Sequence, residues 1–295
     1  MRGGLAALLY ANYFTPPRHL PLRTATVIHD LQYRHLPHNS SVRRRVWLSV
    51  AHRATLRYAD AVIVPSQFVR DDILNSYGAS HESKVRVIPN PISWDRFGAS
   101  APSLSPAEHQ RPYILSVASH YDHKNLETLI KAFALVSRRL PEYRLVLSGQ
   151  LRHNLQGTKR RSTQSLPQLV DELGLGAKVV IRGHVADETL GSLYRHAELF
   201  VLPSLFEGFG IPPVEALGMG IPTLTTRCTA LPEVTLGKAS YVDDPLNRDE
   251  LASKVIEMIT NRLAFVPSAE DIRSVREYYC HTRIARDYFN ALTRD

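Results

Sequence analysis

Two carboxylates, Glu207 and Glu215, bracket the segment Gly208-Phe209-Gly210-Ile211-Pro212-Pro213-Val214. The first follows an apolar run, Leu199-Phe200-Val201-Leu202, that reads as a buried strand. The second falls in the first turn of a predicted helix. Glycine lacks a Cβ, so a turn carrying Gly208 and Gly210 lets backbone N–H groups come close to a ligand. A helix N-terminus adds unpaired donors and the positive end of its dipole. Such a constellation suits a polar, anionic, hydroxyl-rich ligand such as a sugar nucleotide. Each part also has an ordinary reading. Pro212 is common helix punctuation, Glu215 a first-turn acid, and Glu207 a solvated loop acid.

The elements that must hold these residues alternate along the chain. Short β-branched runs at 24–28, 61–64, 85–88, 113–117, 144–147, 179–181, 199–202 and 222–225 read as strands. Amphipathic segments between them read as helices, among them the basic segment Val42 to Tyr58, Gln67 to Ser76 capped by Ser66, and Leu126 to Phe133. Asp187 is placed as the cap of a helix around Leu190 to Tyr194, Asn247 to Ile259 as a helix, and Asp271 to Thr293 as mostly helical. The alternation predicts an α/β chain with parallel sheets. In such sheets ligands bind beyond the carboxyl ends of the strands. His29, Asp30, Ser119 to Lys124, Gly149, His184 and Glu207 all follow predicted strands. Residues 98–112, rich in Ser, Pro and Ala, are the expected linker, and residues 151–164 an expected mobile loop.

Composition bounds the chemistry. The 295 residues suit one large or two medium α/β domains, and 44% hydrophobic content supplies a core. Apolar runs stay well below the roughly 20 residues that span a bilayer. Leu5 to Tyr10 is too short, and too poor in a small-residue cleavage site, for a signal peptide. Two cysteines, Cys228 and Cys280, are too few for a disulfide framework, so a reducing cytoplasm is expected. A net charge of +8, with clusters at Arg43-Arg44-Arg45 and Lys159-Arg160-Arg161, fits an anionic substrate, membrane surface or nucleic acid, or simply solvated helix faces. Without zinc-finger spacing or an RNA-recognition signature, nucleic acid is not expected as a partner. Asp71-Asp72 and Asp243-Asp244 read as helix and turn residues rather than a metal motif, so neither metal nor cofactor is expected.

Taken together, "VIHDLQYRHLP" (27–37), "ADAVIVPSQFVRDDI" (59–73), "KVRVIPNPI" (84–92), "YILSVASHYDHKNLETLIKAF" (113–133) and "LFVLPSLFEGFGIPPVEALGMGIP" (199–222) resemble the family 4 retaining glycosyltransferases. These are also called group 1 glycosyltransferases and have the GT-B fold of two Rossmann-like domains. The resemblance covers most of the chain, and Glu207 to Glu215 matches the family's paired-glutamate motif. It implies transfer of a hexose, mannose-like, from a nucleotide sugar to a glycan or lipid-linked glycan, with retention at the anomeric carbon. It implies donor contacts by Glu207 to sugar hydroxyls, by the N–H groups of Phe209, Gly210 and Ile211 to sugar and phosphate, and by Glu215 to ribose. Lys124 would neutralise the diphosphate, with Ser119 nearby and Val185 beside the base. His29 would face the reacting sugar, although a hydrogen-bonded strand-end histidine is its ordinary reading.

Two departures from the family accompany the match. The family often has an arginine shortly before the phosphate lysine. Here Ser119 stands at about that place with His120 beside it, and His120 or His123 is the expected substitute. The first domain also lacks the family's opening strand–helix units and glycine-rich turn. Gly3-Gly4 does not replace that turn, and "YANYFTPP" (10–17) reads as a strand end from the middle of such a domain. The expected organisation is an incomplete acceptor-side domain at 1–98, a donor-binding domain at 99–272, and a C-terminal helix at 273–295 that packs back on the first. The basic helix around Arg43 to Arg45 is expected to approach an anionic membrane face or a diphosphate-lipid acceptor, peripheral to the inner leaflet. Other readings stay open: a non-catalytic sugar-nucleotide-binding module, a basic nucleic-acid-binding protein, and a GT-B epimerase or phosphorylase.

Overall fold

The computed structural model describes residues 7–12, 14–98, 112–150 and 165–293. The expected mobile loop at 151–164 lies outside the described residues, as does the expected linker apart from its two end residues. The chain divides into two compact units. One comprises Met1–Pro91, Glu207–Phe209 and Tyr279–Asp295, and the other Ile92–Phe206 and Gly210–Tyr278.

The first unit runs β1 (Ala7–Tyr10), β2 (Arg23–Val27), α1 (Gln32–His35), α2 (Val42–Tyr58), β3 (Ala61–Val64), α3 (Gln67–Tyr77) and β4 (Val85–Val87). Its strands form a parallel sheet in the order β1-β2-β3-β4. The β3 sequence Ala-Val-Ile-Val is apolar throughout because both faces of a parallel sheet are covered. Val62 and Val64 join Leu48 and Leu56 of α2 and Val69 and Ile73 of α3 in one core. The Ser66 hydroxyl accepts from the Val69 N–H and so starts α3, as its sequence position predicts.

In the second unit β5 (Tyr113–Val117), α4 (Leu126–Arg139), β6 (Arg144–Ser148), α5 (Leu166–Glu172), β7 (Val179–Ile181), α6 (Asp187–His196), β8 (Leu199–Val201), α7 (Ile211–Gly218), β9 (Thr223–Thr226), α8 (Leu231–Val234), β10 (Ser240–Val242), α9 (Arg248–Thr260) and α10 (Ala269–Tyr278) follow one another. The six strands are parallel in the order β10-β9-β8-β5-β6-β7. Counted within the unit, this is the 3-2-1-4-5-6 order of the doubly wound nucleotide-binding sheet. Alternate strand residues feed the two faces. Ile114 packs with Leu129, Ile130 and Phe133 of α4 and with Leu251 and Val255 of α9. Tyr113 and Leu115 face the opposite layer with Leu193 and Tyr194 of α6 and Ala216 of α7. Complete burial of a side chain the size of Phe133 contributes about 2–3 kcal/mol.

The last helix, α11 (His281–Thr293), packs against β1 and β2 and groups with the first unit. Several boundaries differ from the sequence expectation. The terminal helical stretch is two helices, α10 and α11, rather than one. Asp187 is the first residue of α6, with Ala186 at the cap. Strands β1 and β10, of four and three residues, carry too little pattern to stand out.

Candidate active site

The order of the six-stranded sheet reverses between β5 and β8. Beyond their carboxyl ends lie two segments of this unit, 118–125 and 202–206, which frame the position where doubly wound sheets bind ligands. The loops are tied together. The Leu205 N–H donates to the His123 carbonyl at 2.7 Å. The Asn125 amide donates to the carbonyls of Pro203 (3.1 Å) and Pro245 (2.6 Å), and its oxygen accepts from the Thr128 hydroxyl at 2.7 Å. Asn125 is in the left-handed region, φ 57°, a conformation that asparagine tolerates better than most residues. Its geometry sets the entry to α4 directly after Lys124. The rings of Tyr121 and His123 stack with centroids 5.5 Å apart and order the same loop.

Ser119 and Lys124 thus stand on the β5 loop, both half-buried. Their neighbour His120 is buried. Its backbone N–H donates to the Gln150 carbonyl, and its ring Nε2 has no hydrogen-bond partner among the described residues. Burial lowers its pKa, so near neutrality His120 is an uncharged imidazole. Of the two histidines expected to substitute for the family's arginine, His123 is also buried, and it stacks on Tyr121. Val185 sits half-buried in the segment after β7, and in that segment the Gly183 carbonyl accepts from the Gly149 N–H at 3.2 Å.

Helix α7 opens at Gly210, whose φ of 92° is strained for any residue with a Cβ. Pro212 and Pro213 follow in the first turn and carry no N–H. The helix dipole is therefore presented through the N–H groups of Phe209, Gly210 and Ile211, which donate to no backbone carbonyl among the described residues. Because the helix starts at Ile211, Glu215 lies past its first turn. The first-turn placement expected from the sequence is thereby corrected.

Glu215 is buried, with 2% of its surface exposed. One carboxylate oxygen accepts from the Tyr194 hydroxyl at 2.9 Å, and the other pairs with the Arg96 guanidinium. Arg96 also reaches Asp187 at 3.5 Å and lies over the Phe97 ring. Burial raises the Glu215 pKa, while Arg96 and then the Tyr194 hydroxyl pull it down. The same burial, reinforced by the carboxylate, raises the Tyr194 pKa well above its ordinary value, so its hydroxyl stays a donor.

The remaining site residues belong to the first unit. Glu207 is buried, with 7% exposed, and Phe209 meets Tyr279 edge-on at 5.5 Å. Between them Gly208 passes so close to the end of β2 that a Cβ there would lie 2.2 Å from the His29 carbonyl oxygen. The Ser66 hydroxyl donates to the Gly208 carbonyl at 2.7 Å. His29 is half-buried, and its Nε2 donates to the Ala11 carbonyl at 3.0 Å. The Gln32 N–H donates to Asp30 and starts α1. So His29, Glu207 and Phe209 are brought into one unit, and Ser119, Lys124, Val185, Gly210, Ile211 and Glu215 onto the carboxyl side of the other's sheet.

Sequence reading missed three contributors. Arg96 and Tyr194 reach Glu215 from 119 and 21 positions away, a separation that leaves no local pattern. Ser66 was legible as a helix cap, but its second bond to Gly208 spans 142 positions.

Comparison with known proteins places this geometry in context. The profile described as Glycosyl transferases group 1 matches residues 103–275, and that described as Glycosyltransferase Family 4 matches residues 3–96. The chain is 30% identical over 203 residues to mannosylfructose-phosphate synthase of Agrobacterium fabrum, covering 66% of this chain and 44% of that protein. It is 27% identical over 256 residues to O-antigen chain mannosyltransferase B of Escherichia coli, covering 84% and 64%. It thus spans between about half and two thirds of the length of these two relatives. Among solved structures, Anabaena HepE with UDP and glucose superposes with a TM-score of 0.73 at 18% identity, covering 92% of this chain and 72% of that one. WaaG, a glycosyltransferase involved in lipopolysaccharide biosynthesis, superposes with 0.72 at 17% identity, covering 97% and 78%. At these identities the structural likeness shows the GT-B fold.

Proposed function

Because the chain belongs to the group 1 glycosyltransferases, we propose that it transfers a hexose, mannose-like, from a nucleotide-sugar donor to a glycan or lipid-linked glycan with retention of configuration. The observation that carries this reading is the strand-order reversal between β5 and β8. There, the loop bearing Lys124 and the amide-presenting start of α7 share one end of the sheet. Lys124 and the N–H groups of Phe209, Gly210 and Ile211 offset the donor's diphosphate charge, with Ser119 alongside and Val185 beside the base. Each Glu215 oxygen keeps a lone pair beyond its bonds to Arg96 and Tyr194, and accepts from ribose hydroxyls. Glu207 accepts from the hydroxyls of the sugar. His29 contacts the reacting sugar from the end of β2.

Charge develops on the departing diphosphate, and stabilising it is the main electrostatic task. Retention without an enzyme nucleophile follows from substitution on one face. The acceptor hydroxyl forms its bond to the anomeric carbon on the face from which the diphosphate departs, and a leaving phosphate oxygen takes the hydroxyl proton. No metal or cofactor enters the scheme. Relatives named as mannosyltransferases support the choice of sugar class. The reading includes a cytoplasmic chain in peripheral contact with an anionic inner leaflet, where a lipid-linked acceptor is presented. Among the described residues no helix is long and apolar enough to cross a membrane.

The test is product analysis by NMR with nucleotide sugars and glycan acceptors. The expected result is a glycosidic product with the donor's anomeric configuration, lost by at least about a hundredfold in Glu207→Ala at unchanged fold. Inverted product, or full turnover in Glu207→Ala, contradicts it.

A further inference from the structure

We propose that Arg96 gates the ribose site, covering Glu215 in the free chain and passing to Asp187 when a ribonucleotide arrives. The inference rests on the reading above, in which Glu215 accepts from the hydroxyls of the donor's ribose. Lone pairs for those bonds exist, but they are covered. One carboxylate oxygen pairs with the Arg96 guanidinium, the other accepts from the Tyr194 hydroxyl, and only 3% of the side chain is exposed. A ribose reaches Glu215 only if one of these partners withdraws.

Tyr194 is not the one that moves. It is fully buried, and its ring packs against Phe97 and Phe200 with centroids 5.6 and 5.9 Å away. Arg96 is a third exposed, and its Nη1 already lies 3.5 Å from Asp187, at the start of α6. The short helical turn that carries it, Trp94–Phe97, is pinned on both sides. The Phe97 carbonyl accepts from Arg195 at 3.2 Å, and Gly191 of α6 comes so close that a Cβ there would lie 2.6 Å from the same oxygen. The Arg276 guanidinium rests over the Trp94 ring, 5.5 Å from its centroid. The backbone therefore stays, and opening is a swing of one long side chain between two acids.

The exchange selects its ligand. When Arg96 leaves, a buried carboxylate loses a charged donor, which is costly unless new donors replace it. The vicinal diol of a ribose brings two O–H donors. A ligand that offers a diphosphate without the diol brings none, so it leaves the gate shut. Asp187 lowers the cost of opening, because the guanidinium exchanges one carboxylate for another instead of going unpaired. Arg96 and Asp187 are thus positioning residues that make the site selective for ribonucleotides.

The experiment is calorimetric titration of the full chain with UDP, GDP, ADP and CDP, each beside its 2′,3′-dideoxy form. The expected result is that the wild-type chain favours the ribo form of its base about tenfold or more. Asp187→Asn cuts that preference about three- to fivefold, the strength of a partly exposed ion pair. In an Arg96→Met background the same change at Asp187 leaves the preference where it was, because Asp187 acts only through Arg96. Taking the ratio of the two forms cancels any general effect on folding or on the diphosphate. A preference that Asp187→Asn does not alter, or alters equally with and without Arg96, overturns the gate and leaves the donor site standing. Equal binding of the two forms by the wild-type chain overturns the ribose contact itself. A chain that binds none of these nucleotides overturns the donor-site reading and the gate with it.

Discussion

Glu215 is a buried acid whose ionised form depends on a residue far away in sequence. Burial favours its protonated form, and the Arg96 guanidinium opposes that. Removing the cation while keeping its apolar stem, as in Arg96→Met, raises the Glu215 pKa further. The charged carboxylate then costs stability that protonation relieves. The variant is therefore expected to lose about 1–3 kcal/mol at alkaline pH, with the loss shrinking as pH falls through the raised pKa. The lower half of that range is favoured because Arg96 is a third exposed. Denaturant unfolding across pH checks this, and a loss independent of pH contradicts it. The paired glutamates were legible because glycine, proline and acid occur at fixed spacing. The partners of Glu215 were not, because nothing in the sequence around Trp94 to Phe97 points to a residue 119 positions on. The same holds for His120. Its position after a strand was legible, but its burial, and hence its neutral ring, was not.

At the scale of elements, the loop between β5 and α4 hangs on Asn125. Asn125→Ala forces a Cβ-bearing residue into the left-handed region and leaves the carbonyls of Pro203 and Pro245 without their donor. The expected cost is about 2–4 kcal/mol, together with weaker nucleoside-diphosphate binding as Lys124 loses its anchor. Asn125→Gly removes the backbone strain but not the lost bonds, so it recovers about 1 kcal/mol. Calorimetric melting of both variants separates the two contributions, and equal losses in the two refute the strain argument. Strands such as Ala61–Val64 and caps such as Ser66 were readable because composition and spacing declare them. The start of α7 was misplaced because Pro212 and Pro213 extend the helix toward Gly210, bringing Glu215 past the first turn.

At the scale of the molecule, alternation of strand and helix foretold parallel sheets, while strand order did not follow from it. Neighbours such as β5 and β8 have α4, β6, α5, β7 and α6 between them in the chain, and only packing decides that they pair. The first unit carries its own acid sensitivity. His52 of α2 is buried beside Tyr33 and Tyr77, and burial, with the nearby Arg34 charge, lowers its pKa to about 4. Between its ordinary value near 6.5 and about 4, the unfolded chain takes a proton that the folded one refuses. Stability from the neutral ring is thus complete above that window and falls through it by about 3 kcal/mol. His52→Gln is expected to flatten that acid slope of the melting temperature, and an unchanged slope contradicts the assignment.

The central claim is that the switch point of the second unit holds a nucleotide-sugar donor. Isothermal calorimetry of the chain against a panel of nucleoside diphosphates and their sugars tests it most directly. The account predicts saturable binding of one base, weakened about tenfold or more by Lys124→Ala and by Glu215→Gln in folded protein. A well-folded chain that binds none of them, or binds one equally well in both variants, contradicts it.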